Sequence, residues 1–152
     1  MDNNCYLLVK NFEGCKLKAY LDSVGVPTIG YGATYYKDGS KVKIGDKMTQ
    51  QEAEDLLQFD IEEFSSRVKG LVKSDINDSQ EDALISFAYN LGLNNLKISK
   101  LLKKVNINPD DKSIQQEFEK WVKAGGVVLP GLVRRRKSEA YLYFTGKLKF
   151  NF

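Results

Sequence analysis

The sequence predicts an α+β fold in which a small antiparallel β-sheet lobe is joined by one long helix to an all-helical lobe. Three observations carry that reading. Between residues 16 and 48 the chain breaks into short alternating pieces punctuated by Gly25, Pro27, Gly30, Gly32, Gly39 and Gly45. From Ala53 to Leu71 apolar residues recur at helical spacing without a break. From residue 73 onward, helical patterns follow one another as far as Gly146.

The elements follow in order. Leu8 and Phe12 lie four apart and Cys5 and Leu8 three apart, so residues Asn3 to Glu13 read as a short helix, stopped by Gly14. That places Glu13 in its last turn. The stretch Lys16 to Met48, with its "KDGS" turn, reads as the small antiparallel sheet. Thr49 opens "TQQE", a capping box, and Ala53, Leu56, Leu57, Ile61, Phe64, Val68 and Leu71 mark the buried stripe of the long helix. Its acids (Glu52, Glu54, Asp55) gather early and its bases (Arg67, Lys69) late, matching the helix dipole. Further helices are expected over "SQEDALISFAYNLG" from a Ser79 cap to Gly92, over "ISKLLKKV", over "SIQQEFEKWVKAGG", and from Pro130 to Gly146. The whole reads as one domain, 1–152, with a sheet lobe near 14–50, a connecting helix near 50–72, and a helical lobe over 73–152 that packs helix 3–13. Two such lobes leave a cleft, a common place for a ligand.

Composition narrows the chemistry. A chain of 152 residues that is 42% hydrophobic can bury a core without staples. Zero histidines removes Ser/His/Asp and Cys/His nucleophiles together with the commonest zinc ligand, leaving carboxylates for acid and base work. Two cysteines, at the ends of a helix rising about 1.5 Å per residue, are too far apart to bridge, so both are expected as thiols. No metal and no organic cofactor is expected. No apolar run nears the roughly 18 residues of a membrane span, and the first residues lack a signal-peptide pattern, which points to folding in a cytoplasm without stable membrane insertion. Residues 73–152 carry 14 Lys and Arg against 9 Asp and Glu, a surplus that draws the protein towards polyanions.

Within this frame "EGCKLKAYLDSVGVPTIGYGAT", residues 13 to 34, stands out. A helix C-terminus disfavours a carboxylate, so Glu13 is placed where a carboxyl holds its proton as a general acid must. Asp22 falls in a polar turn, where it stays ionised, and Thr28 offers a hydroxyl beside it. Ordinary turn charges explain the same residues equally well at this level.

The spacing of Glu13, eight residues, Asp22, five residues and Thr28 resembles the phage lysozyme family. The resemblance continues through "DALISFAYNLG", "SKLLKKVN", Trp121 to Gly126 and "LPGLVRRRKSEAYLYFTG", covering nearly the whole chain. It implies a lysozyme-like fold and hydrolysis of the β-1,4 bond between N-acetylmuramic acid and N-acetylglucosamine. Glu13 would protonate the leaving oxygen, and Asp22 with Thr28 would hold water on the opposite sugar face, giving inversion. The resemblance also implies substrate contacts at Thr34, Tyr89, Asn90, Ser99 and Gly131. At Gly131 the family offers an amide side chain where this chain has backbone only, and Ala33 stands where the family commonly has a histidine. The partners implied are peptidoglycan glycan strands, met by a monomeric chain that accumulates in the host cytoplasm and reaches the wall through a membrane pore. Two rival functions are a lytic transglycosylase, which needs only one glutamate, and a non-catalytic wall-binding module of a phage particle.

The run Arg134 to Lys137 suggests nucleic acid at first sight, but on a helix it reads more simply as a solvated basic face, so no nucleic-acid partner is expected. One of Arg134, Arg135 and Arg136 is expected to face the cleft and pair with Glu13 or with acidic stem peptides, while an exposed basic face accounts equally well for any single one of them. Trp121 and Phe118, three apart on the expected helix, read as core rather than a sugar platform.

Overall fold

The computed structural model describes residues 4–152. The first helix, α1 (Asn4–Glu13), buries Cys5, Leu8 and Val9, and the expected start at Asn3 lies outside the described residues. Strands β1 (Lys16–Leu21) and β2 (Pro27–Gly30) pair antiparallel, with Tyr20 opposite Thr28, Leu21 opposite Pro27, and an irregularity between Lys16 and Tyr20. Isolated bridges, Lys18 with Lys47 and Tyr35 with Lys41, fold the rest of this lobe back on the pair.

The connecting helix α2 (Gln50–Leu71) runs 22 residues, about 33 Å at 1.5 Å per residue. Its start is the capping box foreseen from sequence: the Thr49 side chain accepts from the Glu52 amide and the Glu52 carboxylate accepts from the Thr49 amide. The central helix of the other lobe is α3 (Asp78–Leu91), whose Ala83, Leu84, Ile85, Phe87 and Ala88 are all fully buried. It starts two residues earlier than expected. Asn77, not Ser79, is the cap, closing a second box with Gln80.

The next stretch is two helices, α4 (Leu93–Ile98) and α5 (Lys100–Ile107), broken at Ser99, where a single piece was expected. Helix α6 (Ile114–Glu119) is much shorter than the pattern suggested. Gly125 and Gly126, both at positive φ, turn the chain into the hairpin β3 (Lys123–Ala124) and β4 (Val127–Val128) instead of continuing the helix. The last helix, α7 (Pro130–Thr145), begins with Pro130 in its first turn and ends at a left-handed Gly146, as expected.

Helix α3 is the hub, packing against α1, α2, α4 and α7. Phe87 meets Phe118 edge-on at 6.0 Å and Trp121 at 5.5 Å; Phe118 belongs to the core as expected, whereas Trp121, beyond the end of α6, is partly buried and packs against it. The core is continuous with the sheet lobe through Tyr31, Ala53 and Leu57. Cys5 and Cys15 stay thiols. Among the described residues no helix is long and apolar enough to cross a membrane.

Candidate active site

Glu13 is the last residue of α1, and Gly14, at φ +65°, turns the chain away behind it. Its carboxylate is one-fifth exposed and is gripped from two sides. Arg135 Nη1 donates to Oε1 at 2.6 Å, across 122 residues of chain. Oε2 lies against Gly32, where a Cβ would come within 2.9 Å of it and where φ is +87°. Glycine is required there twice over, by conformation and by contact.

Arg135 is itself buried, with Nε 3.3 Å from Glu139 Oε2 and Nη2 donating to the Ser86 carbonyl at 3.2 Å. Its guanidinium also lies 5.8 Å from the centre of the Phe12 ring. The arginine that meets Glu13 is therefore Arg135. The basic run is not the solvated face that the sequence suggested, because Arg135 and Arg136 are both buried while Arg134 and Lys137 are exposed.

Asp22 sits half-buried in the β1–β2 turn. Its Oδ1 accepts from the amides of Val24 at 2.9 Å and Val26 at 2.8 Å, which fix the carboxylate within the turn. Val26 is the turn's junction: its carbonyl accepts both the Asp22 amide at 3.0 Å and the Thr28 hydroxyl at 2.9 Å. With its proton committed there, the buried Thr28 oxygen can act towards a ligand only as an acceptor.

Tyr20 lies within electrostatic reach of both acids. Its hydroxyl pKa is raised by burial and then by the negative charges of Glu13 and Asp22, so both carboxylates act on one side chain from opposite lobes. A cavity of about 490 Å³ opens beside Glu13, lined among others by Phe12, Asn90, Gly131, Arg134 and Phe150. Asp22 does not line it.

The remaining expected contacts separate into groups. Asn90 and Gly131 join Glu13 around the cavity. Thr34 is half-buried just beyond Gly32, and its carbonyl accepts from the Val42 amide at 3.0 Å. The Tyr89 hydroxyl donates to the Tyr31 carbonyl at 2.7 Å, tying α3 to the sheet lobe, and burial raises its pKa well above 10. Ser99 is buried as the cap of α5, donating to the Leu96 carbonyl at 2.7 Å and accepting from the Leu102 amide at 3.0 Å. Both hydroxyls are thus engaged within the fold.

Two groups of consequence escaped the sequence reading. Asp60 of α2 has its carboxyl pKa pushed up to about 6 by burial and by Glu63, with Lys37 opposing. The buried Arg135, Arg136 and Glu139 cluster had a visible signal, since Glu139 stands three and four residues after the arginines on a face shared with Ser138, Leu142 and Tyr143. Among the described residues no group of three or more Cys, Asp or Glu gathers in a way that would hold a metal ion.

Fold and site define a lysozyme-like protein with one carboxylate contributed from each lobe. A family model for phage lysozyme matches residues 10–139. The endolysin of Bacillus phage B103 is 45% identical over 93% of this chain but only 53% of its own length, so the chain spans about half of that relative. The endolysin of Acyrthosiphon pisum secondary endosymbiont phage 1 is 37% identical over 90% of this chain and 92% of its own. Among solved structures, the endolysin from Escherichia coli O157:H7 phage FAHEc1 superposes with a TM-score of 0.87 at 34% identity, covering 97% of this chain and 95% of that one. The chain belongs to the phage lysozyme family.

Proposed function

We propose that this protein is an endolysin that hydrolyses the β-1,4 bond between N-acetylmuramic acid and N-acetylglucosamine in peptidoglycan. The observation that carries the reading is the pair of carboxylates in unlike settings, Glu13 at a helix end beside a cavity and Asp22 in an amide-lined turn, both acting on Tyr20. Glu13 delivers a proton to the glycosidic oxygen, after the incoming sugar has competed with Arg135 for its carboxyl.

Asp22 and Thr28 hold the attacking water. Both present acceptors only, so a water between them spends its two hydrogens and turns a lone pair outward, towards the anomeric carbon. Displacement by water from the opposite face inverts the anomeric centre. The basic surplus of the second half of the chain assists capture of an anionic wall, an attraction that fades as salt rises. A monomeric enzyme folded in the host cytoplasm and released through a membrane pore completes the reading.

Clearing of a peptidoglycan suspension tests the assignment. Glu13→Gln keeps an oxygen for Arg135 but has no proton to give, and is expected to clear at least 100-fold more slowly, in line with the roughly 10²- to 10⁴-fold worth of a general acid, while still sedimenting with the wall. Equal clearing by the variant would remove Glu13 from its role. Reducing ends in the digest support hydrolysis, whereas anhydro-muramic ends would make the protein a lytic transglycosylase.

A further inference from the structure

Two buried arginines follow one another on α7, and only Arg135 touches the acid. Arg136 is completely inaccessible to solvent, a costly place for a guanidinium. Its Nε lies 2.8 Å from Glu139 Oε1, its charge sits 5.1 Å from the centre of the Phe87 ring, and its Nη2 donates to Asn90 Oδ1 at 2.7 Å. A guanidinium has donors and no acceptor, so the atom of Asn90 facing it has to be the carbonyl oxygen. The planar amide then turns its NH₂ group the other way. Asn90 lines the same cavity as Glu13, and no described residue accepts from its Nδ2.

We propose that Arg136, anchored by Glu139, is a positioning residue that locks Asn90 as a hydrogen-bond donor to the glycan, selecting a carbonyl oxygen on an N-acetylated or lactyl-bearing sugar. The inference rests on the lysozyme reading of the site. Glu139 then organises both sides of the cavity. Its Oε2 accepts from Ser86 at 2.5 Å and, at 3.3 Å each, from Arg135, which holds the acid, and Arg136, which holds the amide, while its Oε1 lies 2.8 Å from Arg136 Nε. A sugar carbonyl carries no proton of its own, so it can bind Asn90 only in the orientation that Arg136 imposes.

Asn90→Asp isolates this role. Arg136 still finds an oxygen, so the melting temperature is expected to hold, but the atom facing the cavity changes from donor to acceptor. Titration with the tetramer of N-acetylglucosamine and with a muramyl-containing tetrasaccharide should show binding weakened about tenfold, the loss of one well-made hydrogen bond. Loss with both saccharides identifies an acetamido carbonyl, and loss with the muramyl saccharide alone identifies the lactyl group. Unchanged or tighter binding of both would overturn the proposal, because a carboxylate serves a sugar hydroxyl at least as well as an amide does. Arg136→Lys keeps the charge beside Glu139 but not the fork to Asn90, so KM for wall should rise more than kcat falls. A fall in melting temperature with KM unchanged would mark Arg136 as merely structural. If wild type itself neither binds these saccharides nor clears the wall, the lysozyme reading fails, independently of Asn90.

Discussion

Asp60 gives the most direct test of the electrostatics. It lies half-buried on α2, one turn before Glu63, within electrostatic reach of Lys37 from the sheet lobe and of Tyr89 from α3, and no described residue pairs with it. Its folded pKa of about 6 stands above the ordinary 3.8. The folded state therefore binds more protons than the unfolded state between those values, and stability falls as pH rises through this window. Two pKa units at 1.36 kcal/mol each set a ceiling of roughly 3 kcal/mol. Solvent screening of a partly exposed group reduces this to about 1–2 kcal/mol. Asp60→Asn removes the charge at nearly constant shape. At pH 7.5 it should raise the melting temperature by about 4 °C, since a domain of this size gains roughly 2–4 °C per kcal/mol. Near pH 4, where the folded wild type is already protonated at Asp60, the gap should shrink towards zero. Calorimetry at the two pH values decides. A gap of equal size at both, or a less stable variant at pH 7.5, would refute the burial argument.

Other predictions concern contacts described above. Gly32→Ala places a methyl at 2.9 Å from Glu13 Oε2 and strains a backbone at φ +87°, so clearing should drop at least tenfold while most of the fold's stability survives; clearing at the wild-type rate would show that the carboxylate has room to move. Thr49→Ala removes the side-chain half of the α2 cap, far from the chemistry. It should cost about 1 kcal/mol, visible as a shift of a few degrees in thermal melts, with the rate per folded molecule unchanged.

The sequence was most legible where local chemistry decides structure. The Thr49 box, the stops at Gly92 and Gly146 and the alternating sheet lobe all follow from interactions within a few residues. Two errors arose from competing local signals. Asn77 and Ser79 are both good caps, and only the reciprocal bonds to Gln80 select the first. The run from residue 113 to 126 has helical residues early, but its paired glycines favour a turn and the hairpin prevails. Of the candidate site, Glu13 and Asp22 stand out through their resemblance to the spacing of the phage lysozyme family, whereas their surroundings do not. Burial of Arg135 and Arg136 depends on three-dimensional neighbours, Glu139, Ser86, Asn90 and Phe87, drawn from two helices some 50 residues apart. A string of charges reads as surface until those neighbours are known.

The 122-residue span between Glu13 and Arg135 also has a consequence in time. The acid is synthesised well before the helix that holds it. Domains are completed as units, and contacts between distant parts of a chain form late. A nascent or truncated chain lacking α7 would therefore carry Glu13 without its anchor, and lytic activity should begin only once α7 has been made.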